Sequence, residues 1–190
     1  LAEHEVLTVP DGFPTIQAAV DAAAPGDTVF VRAGRYAENV VVSKPIRLQG
    51  EERTRTIITA GDPSAVTLML AVDKGETTVE QLLVSGGAAG IGYLGEGAAV
   101  IQDCIIAENE DGIWVGGTRI TVTGCYLWGN KAAGVFAGSR RRKDQARAGS
   151  RGLLRVGRRK DLHEGMDLHF REHPAGFVGV RVGDACRVGE

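Results

Sequence analysis

Cysteine is scarce in this chain. Three cysteines in 190 residues are too few for a disulfide framework and too scattered for a zinc site. Aromatic residues make up 5% of the chain, with 2 tryptophans, so the core cannot rest on large rings. Nowhere do about 18 apolar residues run together, which excludes a membrane-spanning helix. The sequence begins at Leu1, not Met, and shows no signal peptide, which is expected either of a chain whose leader was removed or of a fragment. No aromatic-interleaved basic motif is found, so nucleic acid is not an expected partner. Charge is lopsided rather than absent. Residues 1–138 hold 9 Lys/Arg against 17 Asp/Glu, a net of −8, whereas residues 139–190 hold 13 against 7, a net of +6.

Glycine, by contrast, is plentiful at 27 residues, as a chain with many turns requires. It is also periodic. Gly90-Ile91, Gly112-Ile113 and Gly134-Val135 recur every 22 residues. The segment Ile101–Asn109 lies over Val122–Asn130 at a spacing of 21, the lost residue falling where Gly95-Glu96-Gly97-Ala98 meets the shorter Gly116-Gly117-Thr118. A period of this length marks a solenoid. The alternating runs between glycines are too short for helices, so the repeat reads as stacked strands.

Three inward columns follow from the alignment: Ile58, Val84, Ile106 and Leu127; Val79, Ile101 and Val122; and Ile91, Ile113 and Val135. Stacked strands lie about 4.8 Å apart, so each column is a continuous aliphatic contact. Cys104 over Cys125 reads as a pair of buried thiols, or a disulfide in an oxidising compartment. Asn109 over Asn130 predicts amides bonded from coil to coil at a corner. Earlier, Glu5–Pro10 predicts a first strand. Ile16, Ala19, Val20 and Ala23 have helical spacing, bounded by Pro14-Thr15 and Pro25-Gly26. Val29/Val31, Val40/Val42 and Ile46/Leu48 alternate as strands do, with corners expected at Gly34, Ser43–Pro45 and Gly50. About four coils are recognisable before the pattern stops at Gly138. Residues 139–190 read as a basic, poorly packed tail, with one strand expected in Phe177–Val182 and the alternative of a frameshifted end. The last coil would then expose its apolar end and favour self-association.

The run TIQAAVDAAAPGDTVFVRAGRYAENVVV at Thr15–Val42, followed by SKPIRLQG, resembles the opening of right-handed parallel β-helix proteins of the pectin lyase-like superfamily. The resemblance covers residues 8–138. It implies an all-β, right-handed parallel β-helix with a short N-terminal capping helix, and a secreted or periplasmic location. The catalytic sets of pectinesterases, polygalacturonases and calcium-dependent pectate lyases are not found, so no catalytic residue carries over.

Candidate chemistry is therefore sparse. Trp114 and Phe136 share a repeat position beside Gly92, next to inward Ile113, Val115 and Val135, so both rings are expected to point outward. Tyr126 and Trp128 flank inward Leu127 on another face. Exposed aromatics bury sugar rings and also make protein interfaces, and Arg119 and Lys131 would add hydrogen bonds to hydroxyls or carboxylates. Asp103, Glu108, Glu110 and Asp111 form an acidic corner suited to Ca²⁺ in ligand type. A cage is not evident, and a solvated corner is expected with no cofactor. His169 and His173 lack the HExxH pattern of a metal helix. The expected function is a non-catalytic, carbohydrate-associated or scaffolding β-helix module of an exported bacterial protein. The alternatives are a piece of a polysaccharide lyase, hydrolase or esterase without its catalytic coils, and an accessory β-helix protein of copper-enzyme maturation.

Overall fold

The computed structural model describes residues 4–117 and 119–137, and the backbone of 154–156, 166–172 and 178–182. Strand β1 (Val6–Val9) precedes helix α1 (Ile16–Ala22). Three-strand turns then follow: β2 (Thr28–Val31), β3 (Gly34–Ala37) and β4 (Val40–Val42); β5 (Arg47–Gly50), β6 (Thr56–Thr59) and β7 (Val66–Ala71). Next come β8 (Glu76–Glu80), β9 (Leu83–Ser85) and β10 (Ala89–Leu94), then β11 (Ala98–Gln102), β12 (Ile105–Ala107) and β13 (Asp111–Val115). The last turn fuses two strands into β14 (Arg119–Trp128) and ends in β15 (Ala133–Ala137).

The strands stack into three faces. Face A is β1-β2-β5-β8-β11-β14, face B is β3-β6-β9-β12-β14 and face C is β4-β7-β10-β13-β15. Their pairings are parallel, and the whole is a parallel β-helix of about 6 turns. That exceeds the four coils expected from the repeat. The early turns share the alternation of the later ones but not their spacing; the bend between β3 and β4 still carries an asparagine, Asn39, whose Nδ2 donates to Asp62 O and Val66 O and whose Oδ1 accepts from Asp62 N–H. Gly34 and Gly50 lie at strand ends rather than in loops.

The inward columns have the expected register. Ile106 pairs with Val84 and Leu127, Ile101 with Val79 and Val122, and Ile113 with Ile91 and Val135. All are buried. The corners are also in register. Gln81 and Asp103 take positive φ of 56° and 51° at the bend from face A to face B, where Gly124 follows at 61°. Gly86, Glu108 and Gly129 do the same at the bend from B to C, at 82°, 58° and 66°. A left-handed residue costs a non-glycine about 1–2 kcal/mol, so the later glycines remove strain that Asp103 and Glu108 carry. The amide ladder supports the second bend. Asn109 donates from both its backbone N–H and Nδ2 to Asn130 Oδ1 at 3.1 Å. Its own Oδ1 accepts from Gly87 N–H at 3.1 Å, and Asn130 Nδ2 donates to Ile106 O at 3.0 Å. Buried corner backbone thereby finds partners that a turn cannot supply.

Helix α1 has only 7 residues, too few to persist alone. It is held from outside. Thr15 Oγ1 accepts from Ala18 N–H, and the Glu38 carboxylate accepts from Ile16 and Gln17 N–H at 3.0 and 3.1 Å. Lys44 Nζ donates to the carbonyls of Val20, Asp21 and Ala23 at the other end. Gln17 turns its side-chain amide to both backbone groups of Val41, accepting at 2.8 Å and donating at 3.2 Å. It thus stands in for the strand that β4 lacks on its open edge. Asp27 accepts from Glu5 and Ala24 N–H, and these bonds hold its carboxyl below the usual range.

The far end differs from expectation. β16 (Leu154–Val156) runs antiparallel to β15, β17 (Met166–Glu172) antiparallel to β14, and β18 (Val178–Val182) antiparallel to β17. The strand expected in Phe177–Val182 is β18. Val122, Leu127 and Val135 of the last turn are 0, 4 and 1% exposed. Strands that reverse direction pair with parts of the terminal edge without extending the parallel coil, β17 with β14 as far as Cys125 and β16 with β15. The packing of 139–190 otherwise lies outside the described residues, as do Cys186 and His173. His169 falls on a strand, not on a helix.

Candidate functional site

Among the described residues, face B carries the most accessible aromatic surface. Its outward positions form two rows, one running Arg35, Ile57, Leu83, Ile105 and Tyr126, the other Ala37, Thr59, Ser85, Ala107 and Trp128. Ile57, Leu83, Ile105 and Tyr126 are half-buried, and Trp128 is 56% exposed. The rows are flat because each position is a rung of a parallel ladder. Arg53, from the A-to-B loop between β5 and β6, lays its guanidinium 4.7 Å from the centre of the Tyr126 ring. A cation over a ring is attracted by its negative face.

Trp114 and Phe136 occupy face C, and here the expectation of exposed rings fails. They lie on the outward row Val41, Met69, Gly92, Trp114 and Phe136, yet are only 8 and 9% exposed. Parity sent them outward, but their neighbours cover them: both rings belong to one buried cluster with Ala89 and Ala133, against which Val66 and Met69 pack. An added Cβ at Gly116 would sit 3.2–3.3 Å from the Trp114 ring, so the indole lies along the strand rather than standing off it. Lys131 sits exposed at the bend between B and C, three residues past Trp128, where its N–H bonds Asn109 O. Arg119 is on face A, its Nη2 donating to Glu96 O at 3.2 Å. The six candidate residues therefore do not converge. Tyr126 and Trp128, with Lys131 at the margin, make one surface.

The other candidates are inert in form. Cys104 and Cys125 are free and buried, and Cys104 N–H points at Cys125 Sγ at 3.4 Å. Burial, then the neighbouring Cys125, pushes the Cys104 thiol well above its ordinary range, which suppresses the nucleophilic thiolate. Among the described residues no three His, Cys, Asp or Glu side chains converge as a metal group; Glu108 and Glu110 are exposed.

Two groups went unread in the sequence. Tyr93 is fully buried and donates from its hydroxyl to Gly97 O at 2.5 Å. Alternation from Ile91 would have placed it inward. The second is on the outside of face A. The Glu80 side chain is 7% exposed, paired with Arg47 at 2.6 Å and with Gln102 at 2.5 Å. Its row, Gln49-Glu80-Gln102-Thr123, borders the same bend as the Tyr126 row. The spacing of 31 residues from Gln49 to Glu80 hid it, because the long β6–β8 passage breaks the period.

No family model and no curated protein matches the chain. Among solved structures, an alginate lyase from Paenibacillus sp. str. FPU-7 aligns with a TM-score of 0.60 at 14% identity, over 76% of this chain and 53% of the lyase. A pectin methylesterase in complex with a hexasaccharide aligns at 0.46 and 15%, over 65% of this chain and 50% of the esterase. The chain thus spans about half the length of either. The fold it shares with the lyase is the pectin lyase-like parallel β-helix.

Proposed function

We propose that this protein is a carbohydrate-associated β-helix module of an exported protein, which holds a glycan chain along face B without cleaving it. The observation that carries the reading is the exposed Trp128 beside Tyr126 on a rigid, flat ladder, with Arg53 stacked on Tyr126. Sugar rings present apolar C–H faces that such rings bury, while hydroxyls at their rims take N–H donors. The shared fold with a lyase named for alginate agrees with a polysaccharide ligand. The non-catalytic part rests on the missing catalytic sets noted in the sequence. A second reading, a segment of a polysaccharide-degrading protein with its chemistry on other turns, draws on the 53% span of the lyase.

Retention on immobilised polysaccharide tests the first reading. Changing Tyr126 and Trp128 together to Ala is expected to weaken retention about tenfold, since ring contacts contribute about 0.5–1.5 kcal/mol each, with the far-UV spectrum unchanged. Equal retention of the double variant sinks the reading. Turnover of pectin, polygalacturonate or alginate, with or without Ca²⁺, would shift the choice to the second.

A further inference from the structure

We propose that Arg53 is a guard on the aromatic surface of face B: its guanidinium occupies the face of the Tyr126 ring that a sugar would use, so a glycan meets Trp128 first and stacks on Tyr126 only after the arginine swings away. The inference rests on the glycan-binding reading and adds how that surface is opened.

Tyr126 and Trp128 are two residues apart on β14, so alternation turns both outward. They differ in cover. Trp128 is 56% exposed, whereas Tyr126 is half-buried. On the rung below, Trp128 has the small Ala107 and Tyr126 has Ile105. Over the Tyr126 ring lies Arg53, 4.7 Å from its centre. Stacked rings also sit about 4.5–7 Å apart, so the guanidinium and a sugar compete for one face.

The guard is fastened at its base and loose at its tip. Arg53 belongs to the loop between β5 and β6, and β6 stands three rungs from β14 in the order β14-β12-β9-β6, about 14 Å away. The arginine therefore reaches across the rungs of Leu83 and Ile105 to find the ring. Glu51 N–H donates to Val31 O at 2.8 Å, Ala33 N–H to the Glu51 carboxylate at 2.8 Å and Gly34 N–H to Arg55 O at 2.9 Å, which pins both ends of the loop. Within it, the Glu52 carboxylate accepts from Thr54 Oγ1 at 2.6 Å and pairs with Arg55 at 3.7 Å. Arg53 makes no ion pair among the described residues, so the ring contact is what keeps it in place. A cation over a partly exposed ring favours contact by only about two- to fivefold, which leaves the open state populated at about a sixth to a third. Apparent affinity falls by the reciprocal of that fraction, about three- to sixfold. The guard thus lowers binding without preventing it.

Hydroxyl-radical footprinting of the full chain reads the guard without any ligand, because oxidation of a ring follows its access to water. Arg53→Ala should raise labelling of Tyr126 about three- to sixfold and leave Trp128, on the same strand, unchanged. Affinity electrophoresis in polygalacturonate, alginate and a neutral galactan reads the consequence. The variant should bind tighter than wild type by the same factor in every polymer that retards the wild-type protein. Unchanged labelling of Tyr126 overturns the proposal, and so does an equal rise at Trp128, which would report loosening of the whole strand. Weaker retardation of the variant also overturns it, by making Arg53 a direct contact to the sugar. Raised Tyr126 labelling in a protein retarded by none of the polymers upholds the ring contact and defeats the glycan reading.

Discussion

Faces B and C each carry one of the 2 tryptophans, each at an outward position of its strand, and their fates are opposite. Trp128 is 56% exposed and Trp114 8%. Alternation puts both outside, so alternation cannot explain the difference; the neighbours do. Trp114 sits on an inner rung, with β10 on one side and β15 on the other, and Phe136 is its partner across the ladder. Met69 reaches into the space over Gly92 and closes that side. Trp128 ends β14, where β12 pairs on one side and the registered contacts of β17 stop at Cys125. An outward residue of a solenoid is thus exposed or covered according to its rung and the size of the side chains above and below it. Face C uses its rings as an external strip of core, and face B leaves its rings available.

The inward side beneath both faces should be the most sensitive. Ile106→Asp places a charge between Val84 and Leu127 with no partner, and a loss of more than roughly 4 kcal/mol is expected. An unchanged urea midpoint would show that the register is wrong. The comparison itself is broken or sharpened next. Trp114→Ala is expected to cost about 3–5 kcal/mol, the range for a buried aromatic, whereas Trp128→Ala should stay within about 0.5 kcal/mol. Similar losses in thermal unfolding would erase the distinction between the faces. The mildest test leaves stability nearly untouched. Trp128→Phe retains only Trp114, whose emission should be blue-shifted and resistant to acrylamide. Trp114→Phe retains only Trp128, which should emit to the red and be quenched readily. Equal quenching of the two would mean that face C is open in solution.

Much of the fold was legible because it is written as repetition. Ile106, Ile101 and Ile113 found their columns by spacing, and Asn109 and Asn130 found each other. The Ile16–Ala22 helix was readable from its apolar face and from Thr15. Its fastening was not, because Glu38, Gln17 and Lys44 act across 21 to 24 residues and follow no period. The candidate site was half legible. Tyr126 and Trp128 stood out as aromatics beside an inward leucine, but nothing local separated them from Trp114 and Phe136. Glu80 and Arg47 meet across 33 residues, over an irregular passage that no alignment of the repeat spans.

By itself the sequence determined the parallel stack, its inward columns and its amide-bonded corner. Those depend on alternation within a strand and on equal spacing between strands, and both are properties of the chain. Only the tertiary structure decided which outward rings face water, that a carboxylate is buried on the outside of face A, and that strands running the other way pair with parts of the last turn. Each of those depends on what the neighbouring rung presents, and a rung's neighbour is about 20 residues distant along the chain yet about 4.8 Å away in space.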